Sequence, residues 1–125
     1  MQQQIILTVG LPGSGKTTWA KNQQSLYPGK YKIICKDDLR YMMDNDEWSR
    51  KNEKFVLKIR DSLILKYLES EYSVIVADCN LSPKHELDIR KLVDDKAEVK
   101  IQDFTDVPLE VCIERDLKRI NSVGE

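Results

Sequence analysis

The chain has 125 residues, 41% of them hydrophobic and 33% charged, with a net charge of -1. Such a length and apolar share suit one domain with its own core. The even charge balance excludes a broad basic footprint for nucleic acid or an anionic membrane, so any polyanion must be gripped by a local basic cluster.

The run at 5–9, Ile-Ile-Leu-Thr-Val, is β-branched and continuously apolar. It reads as a strand buried on both faces, and it is too short and too poor in preceding basic residues for a secretory signal. A glycine-rich turn leads into a helix at 17–24, which Tyr27-Pro28-Gly29 breaks. A second strand is predicted at 31–35. The stretch Ile34-Cys35-Lys36-Asp37-Asp38-Leu39-Arg40 then opens a helical segment with Leu39, Met42 and Met43 on one side. A long helix at 52–68 carries Phe55, Val56, Ile59, Leu63 and Tyr67 at helical spacing, its face widened by Leu57, Ile64 and Leu68. The strand at 73–78 ends in an acid. Ser82 caps a helix at 83–93, with Pro83 in its first turn. A weaker alternating strand at 99–104 and a helix at 108–120, with Val111, Cys112 and Leu117 inward, complete the order β-α-β-α-α-β-α-β-α. This alternation predicts an α/β fold: a parallel sheet of about four strands with helices on both faces. In such sheets ligands bind beyond the carboxyl ends of the strands. The cysteines, Cys35, Cys79 and Cys112, are too far apart for zinc spacing and odd in number. They are expected as buried free thiols in a reducing compartment. No stretch reaches bilayer length, and a cytoplasmic protein without membrane attachment is expected.

Gly10-Leu11-Pro12-Gly13-Ser14-Gly15-Lys16-Thr17 fits the P-loop pattern G-x-x-x-x-G-K-[ST] between a predicted strand and a predicted helix. Glycines let successive N–H groups converge on phosphate oxygens, and the helix N-terminus adds positive potential. Gly10, Pro12, Gly13, Ser14, Gly15, Lys16, Thr17 and Thr18 are therefore the candidate phosphate-binding residues. Lys16 is expected on the β- and γ-phosphates and Thr17 on Mg²⁺, with ATP or another nucleoside triphosphate as donor. Asp78 stands where a Walker-B-type acid would help hold that metal through water. An acid there would equally position the acceptor or a neighbouring arginine, or simply bond to the turn containing Asn80. Asp37 and Arg40, three residues apart, share a helix face and supply a base for an attacking hydroxyl and a fork for a phosphate. Asp38 suits the helix start. Arg115, Lys118 and Arg119 share one face of the last helix; the plain alternative is a solvated surface paired with Glu114 and Asp116. The chain carries neither the N-K-x-D nor the D-x-x-G pattern of GTPases.

Together, P-G-S-G-K-T-T-W-A at 12–20, Lys36-Asp37-Asp38-Leu39-Arg40, Asp78-Cys79-Asn80-Leu81-Ser82-Pro83, and Asp106-Val107-Pro108 followed by Arg115 and Arg119 resemble the kinase domain of phage-type polynucleotide 5′-hydroxyl kinases. The blocks come in the same order and cover nearly the whole chain. The resemblance implies transfer of the γ-phosphate of a nucleoside triphosphate, with Mg²⁺, to 5′-OH ends of DNA or RNA in nucleic-acid repair, alongside a ligase or phosphatase. It implies that Asp37 is the general base and that Arg40 binds the phosphate next to the attacked hydroxyl. Arg119 resembles a lid arginine on the γ-phosphoryl, and Arg115 a second basic position there. Asp78 matches the third-strand acid, on the substrate side or the metal side.

Departures from that family also shape the expectation. The chain has no D-x-D-G-T phosphatase motif and stops soon after the lid, so a single kinase domain over 1–125 is expected, lacking the segment that follows the lid. A P-loop kinase for a small hydroxyl-bearing metabolite is the alternative, and a non-catalytic nucleotide-binding module a third. DNA and RNA ends fit equally at this level, as do a monomer and an oligomer.

Overall fold

Strand β1 (Gln4–Val9) is paired on both edges, which accounts for its continuous apolar run. The computed structural model describes residues 2–123, with side chains through residue 118. On one side β1 pairs in parallel with β3 (Ser73–Val76), Ile5 opposite Val74 and Leu7 opposite Val76. On the other side lies β4 (Glu98–Asp103), Gln4 opposite Glu98 and Val9 opposite Asp103. Strand β2 (Tyr31–Ile34) adds beyond β3, giving an all-parallel order β2-β3-β1-β4.

Side chains alternate across this sheet and divide the core in two. Ile5, Leu7, Ile34, Val74 and Val76 meet Ile64 and Leu68 of α3 (Arg50–Glu69) and Ile89 and Val93 of α4 (Pro83–Val93). Ile6 and Ile75 form a separate cluster with Ala20 of α1 (Lys16–Leu26) and the half-buried Trp19. Helices thus cover both faces, as the alternating pattern predicts. Each fully buried Ile, Leu or Val here contributes roughly 1.5–3 kcal/mol relative to exposure.

Several expected boundaries shift. Strand β2 stops at Ile34, because Cys35 becomes the N-cap of α2 (Lys36–Asp44). The third strand ends at Val76; after the bond from Ala77 N–H to Ile34 C=O the chain leaves the ladder, and Asp78 lies beyond the strand. Helix α3 begins at Arg50, since Ser49 Oγ accepts the N–H of Asn52. Its inward stripe is Val56, Arg60, Ile64 and Leu68, while Phe55 is exposed. The helix is apolar on more than one side, and contact with the sheet selects the stripe. On α2, Leu39 packs against the core but Met42 is exposed. On α5 (Leu109–Val123), Cys112 is buried, whereas Leu117 is exposed in line with Leu109 and Ile113. The three cysteines are free thiols, but only Cys112 is fully buried; Cys35 and Cys79 are half-buried beside the site.

Candidate active site

The P-loop runs from the end of β1 into α1. It is tied to the chain leaving β3 by a bond from Gly10 N–H to the Cys79 carbonyl, 3.0 Å. Two glycines are required by geometry. Gly13 has φ +82°, and a Cβ there would collide with the Cys112 carbonyl of α5. Gly15 has φ +101° and forms the N-cap of α1, with no side chain capping the helix and no acid in its first turn. The first N–H groups of α1 are thus left for an anion. Lys16 is buried. Its Nζ donates to the carbonyls of Gly10 (2.8 Å) and Leu11 (2.7 Å) and lies 3.6 Å from Cys79 Sγ. A cavity of about 1070 Å³ opens over this loop, lined by Pro12, Gly13, Gly15, Lys16, Thr17, Thr18, Asp37, Asp38, Asp78, Cys79 and Arg115 among others. Of the predicted phosphate residues, Gly10 and Ser14 sit behind the wall; Ser14 is buried.

The second strand end brings Asp37 and Arg40 together as their spacing predicts. Arg40 Nη1 donates to Asp37 Oδ1 at 2.7 Å. Arg40 is not a free fork, however. Its Nε and Nη2 donate to the two oxygens of Glu53 on α3, at 3.0 and 2.8 Å. Glu53 thereby holds the guanidinium more firmly in its charged form, and Arg40 in turn holds the Glu53 carboxyl below its ordinary range. The remaining nitrogen, Nη1, is the one bonded to the exposed Asp37. Asp38 is a first-turn acid of α2, as expected, while Cys35 takes the cap position. Burial pushes the Cys35 thiol up to about 11, so it stays protonated at neutral pH.

Asp78 is buried. Its Oδ1 accepts the backbone N–H of Lys36 at 2.8 Å, satisfying the start of α2 from across the sheet. The link to the turn that contains Asn80 runs through the Asp78 backbone carbonyl, which accepts from Asn80 Nδ2 at 3.3 Å, and not through the carboxylate. Oδ2 has no donor within the described residues. Burial raises the Asp78 carboxyl above its ordinary range, and the Lys36 N–H with the charges of Lys36 and Arg60 only partly opposes this. A folded-state value above the unfolded one means that stability is fully present below the unfolded value and falls as pH rises through the folded value. An Asp78→Asn protein keeps an oxygen for Lys36 N–H without the buried charge. It is therefore expected to be at least as stable as the wild type. Its advantage in thermal melts should open as pH rises through the Asp78 titration and be absent near pH 3.

Asp37, Asp78 and Cys79 also line a second cavity of about 330 Å³, together with Lys36, Arg40, Asn80, Leu81, Ser82 and His85. The site is therefore two-chambered: a phosphate chamber over the loop and a smaller chamber on the far side of the Asp37–Asp78 rim. Burial, followed by the charges of Lys36 and Arg60, lowers His85 below its ordinary value, so it is neutral at pH 7. Glu53, Asn80 and His85 were not singled out by sequence. Asn80 lay within a quoted motif, while Glu53 offered no signal beyond a first-turn acid of α3.

From the last helix, Arg115 Nη1 donates to the Gly13 carbonyl at 3.3 Å and lines the phosphate chamber. Lys118 pairs instead with Glu114 at 3.3 Å, both exposed, as the solvated alternative has it. The Arg119 side chain lies outside the described residues. Among the described residues no group of three or more His, Cys, Asp or Glu is arranged as a metal cage. Thr17 and Asp78 line one chamber and nevertheless fit a Mg²⁺ bound mainly through phosphates and water. No helix among the described residues is long and apolar enough to cross a membrane.

The AAA domain family matches residues 5–124 of this chain. Among solved structures, the chain is similar to the Pnkp1/Rnl/Hen1 RNA repair complex, with 26% identity and a TM-score of 0.87, covering 99% of this chain and 40% of that one. A second structure of the Pnkp1/Rnl/Hen1 complex gives 24% identity and a TM-score of 0.81, covering 91% and 39%. The APS kinase CysC of Mycobacterium tuberculosis, in complex with AMPPNP and APS, gives 23% identity and a TM-score of 0.71, covering 98% and 75%. The chain thus spans about 40% of the length of the repair-complex chain it matches. Matched from its first strand through its last helix, the chain belongs to the AAA domain family and has a P-loop kinase-like fold.

Proposed function

We propose that the chain is a polynucleotide 5′-hydroxyl kinase domain, moving the γ-phosphate of ATP or another nucleoside triphosphate to the 5′-OH end of DNA or RNA in end repair. The observation that carries this reading is the Asp37–Arg40 pair, with Asp37 lining both chambers and Arg40 the smaller one. Donor phosphates on the loop and an acceptor in the smaller chamber would then meet at Asp37. The acceptor oxygen attacks the γ-phosphorus, its proton passes to Asp37, and the bond from γ-phosphorus to the bridging oxygen breaks, releasing the nucleoside diphosphate. The loop N–H groups and Lys16 bind the donor phosphates. Arg40 Nη1 binds the phosphate beside the attacked hydroxyl. Arg115, on the phosphate chamber, meets the γ-phosphoryl from α5, and Arg119 is assigned the same task from its sequence position alone. Thr17 and Asp78 would hold Mg²⁺, whose charge neutralises the donor phosphates when bound. Similarity to a repair complex supports a nucleic-acid end as acceptor and a ligase as working partner.

A second reading, a kinase for a small metabolite, is favoured by the likeness to an APS kinase of which this chain covers 75% and by the modest acceptor chamber. Labelled ATP offered with a 5′-OH oligonucleotide and, in parallel, with a nucleoside separates the two. Transfer to the oligonucleotide is expected. Transfer confined to small hydroxyl compounds would support the metabolite kinase, and transfer to neither would leave a nucleotide-binding module.

A further inference from the structure

His85 lines the smaller chamber, and the transfer described above gives it no task. It stands half-buried in the first turn of α4. Its backbone N–H is bonded to the Ser82 carbonyl at 3.1 Å, so what it offers the chamber is its side chain. The charge of Lys36, on α2 across the chamber, acts on the imidazole more strongly than that of Asp88 or Lys84 on its own helix. The ring is thus turned toward α2, over the chamber, and not along α4.

The chamber has two unlike walls. One comes from α2 and is cationic, with Lys36 and Arg40. The other comes from the approach to α4, with Leu81 and His85. Leu81 is an exposed apolar side chain, and His85 adds a flat ring that is neutral at pH 7. On the kinase reading, which this inference rests on, the acceptor is held by its hydroxyl at Asp37 and by a phosphate at Arg40. The part of a terminal nucleotide left to place is the base. A further phosphate belongs on the cations of the α2 wall, where charge-assisted bonds are strong. A base has flat faces that pair with apolar and aromatic side chains, and bases splayed from a strand are stacked on histidine among other rings. We infer that the His85 ring, with Leu81 beside it, stacks on the base of the 5′-terminal nucleotide. Such a contact accepts any base, because every base has a π-face. It holds the end without reading its sequence.

The test uses the full chain, labelled ATP and 5′-OH oligonucleotides whose terminal residue either carries a base or is abasic (a tetrahydrofuran residue that keeps the 5′-OH and the 3′-phosphate). Loss of the base is expected to cost the wild type about 5- to 100-fold in kcat/KM, mainly through KM for the oligonucleotide. His85→Ala is expected to lose a similar factor on the ordinary end and little more when the base is removed as well. His85→Phe keeps a flat ring without the nitrogens and should retain most of the wild-type preference for the ordinary end. Equal rates of the wild type on the two ends would overturn the inference while leaving the kinase reading intact. So would a folded His85→Ala protein with undiminished preference for the ordinary end. A His85→Phe protein as weak as His85→Ala would also overturn it, by assigning the contact to a ring nitrogen. If the alanine variant fails to fold, the abasic comparison in the wild type and in His85→Phe decides. Transfer to no oligonucleotide at all would overturn the kinase reading, and this inference with it.

Discussion

An Asp37→Ala protein is expected to bind ATP normally, to stay folded, and to lose roughly 10²–10⁴-fold in transfer to 5′-OH ends, the range for removing a positioned general base. The structure supports separating these effects. The Asp37 side chain is 81% exposed and pairs with Arg40. An exposed pair of this kind is worth about 1 kcal/mol or less. Arg40 does not come loose when Asp37 is removed, because Glu53 still holds it at two atoms. The melting temperature should therefore fall by no more than a few degrees, while the chemistry collapses. Asp37→Asn sharpens the test: the amide oxygen still accepts from Arg40, but the group no longer takes a proton. Steady-state transfer to an oligonucleotide, with ATP binding measured separately, reads both variants. Wild-type rates from a folded Asp37→Ala protein would place the base elsewhere, with Asp38 the neighbouring acid on the same chamber.

What the sequence disclosed about this site was what local geometry determines. The P-loop was legible because its glycines and helix start are a contiguous piece of backbone. Asp37 and Arg40 were legible because three residues along a helix bring side chains together, and they meet at 2.7 Å. The order of strands and helices followed from alternating periodicities. The misreadings of pairing at the site involve partners brought from far along the chain. Glu53 reaches Arg40 across 13 residues and Asp78 caps α2 across 42, and no periodicity encodes either. Arg60 occupies the buried stripe of α3 where the apolar pattern placed Phe55 and Ile59 nearby. The sheet, not the helix's own composition, decides which side turns inward. The functional consequence is that the predicted phosphate fork of Arg40 is already engaged by a carboxylate. On the proposed kinase reading, contact with an acceptor phosphate would fall to Nη1, the nitrogen that also bonds Asp37.

Lys16→Ala is expected to lower phosphoryl transfer by at least about 10²–10³-fold, the scale seen when one preorganised donor to developing charge is removed. Its effect on binding should be selective. Nζ is now held by the carbonyls of Gly10 and Leu11 at 2.8 and 2.7 Å. To reach a terminal phosphate it must exchange these neutral acceptors for a charged one, and charge-assisted bonds are roughly twice as strong. That exchange is available only when the nucleotide extends far enough along the loop. Removing Nζ should therefore weaken ATP more than ADP, so that the preference of the wild type for ATP shrinks. The Gly10 and Leu11 carbonyls lose their donor in the variant, and Gly10 is buried. The stability cost should fall within the range of about 1–3 kcal/mol for an unpaired polar group. Titration calorimetry with ATP and ADP, together with single-turnover transfer, measures the two effects apart. Undiminished ATP preference combined with a normal transfer rate would mean that the ammonium only braces the loop carbonyls, and that the phosphoryl charge is met instead from α5.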